Sequence, residues 1–409
     1  MLFRSLWIAQ IISELGDWFY SVAIYSFLLE ATGSAQSVAL AFVMQVLPQT
    51  LAAPMAGVLN DRLSRRKVML FADFARAVIV FCMLLAQTRE LAWLLYALLF
   101  LETVMWALFE PGRSAVIANI TSGDDTAAAN ALSATTWSIN FALGTALGGV
   151  ATAFLGRNAV FTINSLSFIV SGLLILRMKF REPHLDNQPP LRWKDLFDFT
   201  PVAEGLAYVA KDRRLTATMM VKGGLGFLGA NWVILPIFGE RIFPVRSENL
   251  SAAQAATLGM SILLGSRGVG SIVGSFGSSF FAKANPARLR LSISAGFFLA
   301  GAGYILLGSA PGIVIAALTL IVAHTGGSAL WTCSSTLLMQ QTEDRFRGRV
   351  FSAEFALMMF MLSLSSYLAG MAVDAGIGAR EVAVWSGVLM LVPGAAWLAA
   401  QRLWGKSPP

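Results

Sequence analysis

The sequence predicts an all-α membrane protein of twelve membrane-spanning helices. Three observations carry that expectation. The 409 residues are 56% hydrophobic and only 13% charged, with a mean hydropathy of +0.67, whereas soluble domains carry about 25% charged residues. Apolar runs of the ~20 residues that cross a hydrocarbon core recur twelve times. Lys and Arg collect in alternate connections, as cytoplasmic loops require.

Taken in order, the spans fall near residues 5–30, 38–60, 68–88, 92–113, 131–155 and 158–178, then 214–239, 254–282, 288–309, 311–338, 349–374 and 381–404. With the N-terminus in the cytoplasm, 22 Lys and Arg lie in inside segments and five outside; Arg76, Lys222 and Arg267 fall within spans. An even number of spans puts both termini inside. The first run carries Glu14 and Asp17 and lacks a small-residue cleavage site, unlike a removable signal peptide. Residues 179–213 are the only long polar stretch. They divide the chain into an N-terminal half, 1–178, and a C-terminal half, 214–409, of six spans each. The first part of this linker, with Pro183, His184, Pro189 and Pro190, reads as an extended tether. The second, with Trp193, Leu196 and Phe197, reads as a helix on the membrane surface. The halves carry traces of repetition: the stretches from Phe109 and from Trp331 both run through small polar residues to a charged turn.

Several function classes recede on composition. Cys82 and Cys333 lie far apart in apolar runs, and there are two histidines, so neither a disulfide framework nor a metal cluster is expected, and no cofactor. Topology accounts for the net charge of +7, so no nucleic-acid partner is expected. Without a nucleophile elbow or phosphate loop, the chain does not read as an enzyme.

Ionisable groups inside spans are expensive and are read first as functional. Glu14 and Asp17 lie one turn apart on span 1 with no cation beside them in sequence. That suits a proton carrier; the other reading is that one faces a polar partner on another helix. Asp73 and Arg76 have the same spacing and are placed to pair structurally near the cytoplasmic end of span 3. Glu102 and Glu110 share a face of span 4. Pro111 is expected to interrupt that helix and free backbone groups, one of them for Arg113; Glu110 is the expected partner of Arg113. Lys222 is expected to snorkel to the cytoplasmic interface, and Arg267 to need a partner, with Glu354 a candidate. His324 is either a hydrogen-bonded polar residue or a group that titrates near neutrality. Trp18, Tyr20, Trp106, Phe109, Asn231, Trp232, Trp331, Met358 and Met361 read as walls of an adaptable substrate cavity, or as packing and lipid-facing residues.

The stretch Gly57-Val-Leu-Asn-Asp61-Arg62-Leu-Ser-Arg65-Arg66-Lys67 packs four cations and one carboxylate into its last seven residues. Its glycine is expected to let the helix end pack closely or turn. The stretch resembles the helix 2–3 loop of the major facilitator superfamily, Gly-x-x-x-Asp-Arg-x-x-Arg-Arg, with Ser64 where most members have Gly. Gly144-Thr145-Ala-Leu-Gly148-Gly149 permits close helix contact on its own terms. It also partly resembles the superfamily's helix 5 antiporter signature, Gly-Pro-x-x-Gly-Gly, with Thr145 for the proline. Ser13-Glu-Leu-Gly-Asp17-Trp-Phe, Thr32-Gly-Ser-Ala35 and Arg347-Gly-Arg-Val350 look like the macrolide and siderophore exporter branch, which bacterial lysophospholipid transporters also resemble.

The resemblance implies two pseudo-symmetric six-helix bundles with alternating access, in a bacterial inner membrane. It implies proton-coupled efflux of hydrophobic or amphipathic small molecules, with membrane lipids around a monomer. Lysophospholipid or lipid transport without ion coupling is the alternative. Asp17, which several exporters also fill with Asp, is the first proton-coupling candidate, with Glu14 and Glu102 beside it. Asp61, with Gly57, Arg62, Arg65 and Arg66, is expected to form a latch to Arg347, Arg349 and the positive end of span 11 when the cytoplasmic ends meet. The plainer reading of that stretch is a topology anchor.

Overall fold

In the computed structural model, residues 2–86, 88–122, 124–186, 196 and 198–404 are described. Among them the chain is mainly helical, with no strand. Six helices make up its first part: α1 (Leu2–Thr32), α2 (Ala35–Arg62), α3 (Arg65–Cys82), α4 (Ala92–Ile120), α5 (Asp124–Leu155) and α6 (Arg157–Leu176). A short α7 (Thr200–Val209) follows. The seventh span is broken into α8 (Arg213–Leu225), a 3-10 segment (Gly226–Ala230), α9 (Asn231–Ile237) and a π turn (Phe238–Ile242). Then come α10 (Ala252–Ala282), α11 (Pro286–Gly308), α12 (Ile313–Gln341), α13 (Arg347–Asp374) and α14 (Ala379–Trp404). Each of the twelve expected spans thus coincides with a helical segment. Eleven are long and apolar enough to cross a bilayer; the remaining one, α1, has 31 residues and the length to span but carries Glu14 and Asp17.

The chain forms two compact units. The first comprises Met1–Gly33, Met44–Asp198 and Arg246–Ser261; the second comprises Ser34–Val43, Phe199–Val245 and Ile262–Pro409. In the first, α1 packs on α5 and α6, and α3 on α4 and α6. Gly144 and Gly148 on α5 meet α1 at the Trp18 Cβ and the Phe19 backbone, where an added methyl would lie 2.5 Å from existing atoms. Gly149 meets Ser261, whose hydroxyl donates to the Ala146 carbonyl at 2.6 Å. The glycine run is therefore spent on close packing. In the second unit, α11 lies against α12 and α14, and α13 against α7, α8 and the 3-10 segment. Ser365 on α13 repairs the break in the seventh span: it donates to the Phe227 carbonyl at 2.8 Å and accepts from the Ala230 N–H at 3.2 Å. The start of α2 is held by Asp374 at the end of α13, which accepts from the N–H groups of Ala35 (2.8 Å) and Gln36 (3.0 Å). A carboxylate there satisfies helix N–H groups that lack internal partners.

The charged turn differs in detail from its sequence reading. Helix α2 runs straight through Gly57, and a Cβ at that position would meet nothing. The glycine thus provides neither a turn nor a close contact. The turn is the two residues Leu63 and Ser64, and the Ser64 hydroxyl accepts from Lys67 N–H as the N-cap of α3, which a glycine cannot do. The cations close helix ends, where carbonyls are left over: Arg65 donates to Asn60 O at 3.2 Å, and Arg66 to the Ile175 and Leu176 carbonyls at the end of α6. The beginning of the linker is docked on this turn and is not a free tether. Glu182 accepts from Ser64 Oγ at 2.6 Å, and the His184 ring meets Leu63 O at 3.1 Å. Trp193 and Phe197 lie outside the described residues. Further on, α7 is seated against the start of α13 through Tyr208 stacked on Phe346 at 4.2 Å and Glu204 bonded to Arg349 at 3.0 Å.

Helix α4 also corrects an expectation, since it continues through Pro111 to Ile120. Proline removes one donor and pushes aside the preceding carbonyls. Just before the proline the Leu108 carbonyl accepts from the Asn60 amide at 2.9 Å, while the Arg113 guanidinium donates to the side chains of Glu110 and Gln10. Gly112 makes room, as a Cβ there would lie 2.5 Å from Asn60 Oδ1. Asn60 is 3% exposed. Asn60→Ala removes the amide's bonds to the Ala56 and Leu108 carbonyls and is expected to cost about 1–3 kcal/mol, the scale of two buried hydrogen bonds, read as a lower thermal midpoint of the purified protein.

Candidate functional site

Five carboxylates and two guanidiniums of α1, α3 and α4 gather inside the first unit as two clusters. In the first, Arg76 is 1% exposed and Asp73 is fully buried. Arg76 Nη2 donates to Asp73 Oδ1 at 2.6 Å, and Ser171 on α6 donates to Asp73 Oδ2 at 2.7 Å. The guanidinium lies over Phe109 (4.8 Å) and Phe168 (4.2 Å), an arrangement in which ring quadrupoles stabilise a cation. The expected pair thus forms, but midway along α3 and with a third member: Arg76 Nη1 is 3.6 Å from Asp17 Oδ2. This corrects the reading of Asp17 as a carboxylate with no cation beside it. The cation comes from another helix, which spacing along α1 does not reveal. Asp17 Oδ1 is buried without a hydrogen-bond partner. Near it, Tyr20 donates to Glu102 Oε2 at 3.2 Å, and Glu102 is 5% exposed.

The second cluster is a chain of hydrogen bonds. Arg113 Nε donates to Glu110 at 3.0 Å, as the sequence suggests. Arg113 Nη1 donates to Gln10 Oε1 at 2.9 Å. That fixes the Gln10 amide so that its nitrogen points at Glu14 Oε1, 2.9 Å away. Asn140 on α5 donates to the other Glu14 oxygen at 3.3 Å. Glu14 thus does face a polar partner on a neighbouring helix, Asn140 of α5. Gln10, Asn140 and Ser171 are the site residues that sequence reading missed. For Gln10 a signal existed, since it stands one turn before Glu14 in an apolar run; for Ser171 none did.

In the second unit the structure redraws two assignments. Lys222 does not snorkel: it is 5% exposed, and its Nζ donates to Glu354 Oε2 at 2.8 Å. Glu354 is therefore the partner of Lys222 and not of Arg267. The Arg267 guanidinium lies 3.7 Å from the centroid of Trp232, which stacks on Phe42 at 4.8 Å. His324 is bonded to Tyr304 at 2.8 Å and buried.

The aromatic and soft candidates divide by exposure. Tyr20, Phe109, Asn231, Trp232, His324 and Met358 are buried. Trp18 packs edge-on against Phe141 (4.6 Å) and Trp137 (5.8 Å) of α5. Trp18, Trp106 and Met361 are half-buried, and Trp331 is 43% exposed. The latch residues have partners close by within their own units. Asp61 is 3.9 Å from Arg65, Arg347 bonds Asp344, Arg349 bonds Glu204, and Arg62 ends α2. No group of three metal-ligating residues occurs among the described residues.

Ionisable groups buried inside apolar helices of membrane length mark a functional site, and the sequence matches the profile of the Major Facilitator Superfamily over residues 6–354. The chain belongs to the major facilitator superfamily. Among superfamily relatives, macrolide efflux protein A of Streptococcus pyogenes is 23% identical, with 95% of this chain and 93% of the relative covered. The tetracycline resistance protein, class C, of Escherichia coli is 28% identical over 87% of this chain and 83% of its own length. The crystal structure of the nucleoside transporter NupG superposes with a TM-score of 0.74 at 14% identity, over 98% of both chains. The shared fold is thus the major facilitator fold, and the protein is an integral membrane transporter.

Proposed function

We infer that this transporter exports hydrophobic or amphipathic small molecules across a bacterial inner membrane in exchange for protons, acting as a monomer with both termini cytoplasmic. One observation supports the coupling above the others. In the two clusters drawn from α1, α3 and α4, five carboxylates (Glu14, Asp17, Asp73, Glu102 and Glu110) stand with two guanidiniums, Arg76 and Arg113. Asp73 and Glu110 hold the closest places on those cations. Glu14, Asp17 and Glu102 are left without a counter-ion of their own. Buried charge without compensation is costly, and protons taken from a gradient supply the compensation reversibly. Relatives that are efflux and resistance proteins support the outward direction and the substrate class, and the positive-inside count supports the orientation.

The test is a substrate panel in proteoliposomes with inside-out protein. An acid-inside gradient should drive uptake, and a protonophore should abolish it. Lysophospholipid movement that persists without a gradient would favour lipid transport instead.

The charged turn takes the latch role in this reading. Asp61→Asn is expected to slow transport several-fold while leaving substrate affinity nearly unchanged in a protein cross-linked in one conformation. A large loss of binding would make Asp61 a substrate residue.

A further inference from the structure

The Lys222–Glu354 pair of the second unit leaves hydrogen-bonding capacity unused. The ammonium carries three N–H groups, and among the described residues Glu354 Oε2 is its one hydrogen-bond acceptor, at 2.8 Å. Glu354 Oε1 is buried and has no partner. A buried ion pair repays its desolvation only when the remaining protons and lone pairs are also satisfied, so a group that completes both ends gains on both. Trp331 is the exposed neighbour of the pair: the Lys222 Nζ lies 4.6 Å from the centroid of that indole, and the residue is 43% exposed. Phe351 flanks the same ammonium at 5.9 Å.

The geometry points to a binding site at Lys222, Glu354 and Trp331 for an uncharged, hydroxyl-bearing compound with a flat apolar body. A hydroxyl donates one hydrogen bond and accepts others. It donates a hydrogen bond to Glu354 Oε1 and accepts one from a free Lys222 N–H, while the apolar body covers the indole. A carboxylate in the same place would meet the charge of Glu354, and an ammonium would meet that of Lys222. Either would leave a net charge in the apolar interior, at a cost a neutral group avoids. The site goes beyond the export reading, because it fixes the chemistry of a ligand group whatever the direction or coupling of transport.

The experiment measures binding directly, so the export reading can fail without touching it. The full chain in phosphatidylcholine nanodiscs is titrated with four probes of one shape: 9-anthracenemethanol, 9-anthracenecarboxylate, 9-(aminomethyl)anthracene as its ammonium, and 9-methylanthracene. Energy transfer from protein tryptophan to anthracene is read, with empty discs subtracted. The alcohol should bind about tenfold or more tightly than the other three, the scale of one hydrogen bond to a charged group. Glu354→Gln, which offers Lys222 its carbonyl and turns a donor toward the ligand, should remove that preference. Trp331→Leu leaves the ion pair intact and should weaken all four probes, so the proposal stays testable if Glu354→Gln fails to fold. Equal binding of the four probes to the wild-type protein overturns the proposal, as does unchanged alcohol binding in both variants; a water molecule would then complete the pair.

Discussion

Asp17→Asn is expected to reduce pH-driven accumulation of substrate in proteoliposomes to the level of empty liposomes, while exchange of substrate down its own gradient continues. Asp17 is the carboxylate that can change partners. One oxygen stands 3.6 Å from Arg76, beyond hydrogen-bond distance, and the other has no partner. A group held so loosely can take up and release a proton without dismantling its surroundings. Asparagine keeps the size and the polarity and carries no exchangeable charge. Glu14→Gln should have the smaller effect. Glu14 already accepts from Gln10 and Asn140 on both oxygens, and an amide can keep one of those bonds. The measurement is uptake into inside-out vesicles with an acidic lumen, where protons leaving the lumen draw substrate in. Accumulation by Asp17→Asn that still follows the imposed gradient would move the coupling group elsewhere, with Glu102 next in line beside Tyr20.

The fold was legible because its determinants are local. A run of apolar residues must be a helix in lipid, since every backbone group has to be satisfied within it, and the charged turns between runs mark where each helix ends. The departures have a common physical cause, which is that partners come from other helices. Glu110 and Arg113, three apart on α4, were readable as a pair, and the structure forms it. Lys222 and Glu354 lie on α8 and α13, far apart in the chain, and spacing rules are silent about such a contact. The same holds for Asp17 and Arg76. Pro111 shows the opposite error: a residue that breaks isolated helices is tolerated inside α4, where Asn60, brought in past Gly112, bonds the Leu108 carbonyl just before it. The aromatic residues were the least readable. The sequence shows that Phe109 and Trp331 are large and apolar, but not that one lies beneath Arg76 and the other keeps 43% of its surface exposed.

The second large effect is expected at Arg76, where structure and coupling meet in one side chain. Arg76→Met removes the cation from a fully buried Asp73 and from Asp17 together. Breaking a buried pair from one side costs about 3–5 kcal/mol, so the thermal midpoint of the detergent-purified protein should fall sharply. Met suits the Phe109–Phe168 cleft in shape, which leaves loss of charge as the main cause. The double variant Arg76→Met/Asp73→Leu removes the stranded carboxylate and should regain most of the loss, because a buried ion pair can often be replaced by apolar residues of similar volume at little net cost. Transport then separates the two roles. If Arg76 only neutralises Asp73, the double variant couples protons to substrate as the wild type does. If Arg76 also receives Asp17 when that carboxylate gives up its proton, the double variant is stable yet uncoupled, since Asp17 has no cation to return to. The 3.6 Å approach of Asp17 and the unpartnered Arg76 Nε favour the second outcome: a folded protein that moves substrate downhill and no longer responds to the proton gradient.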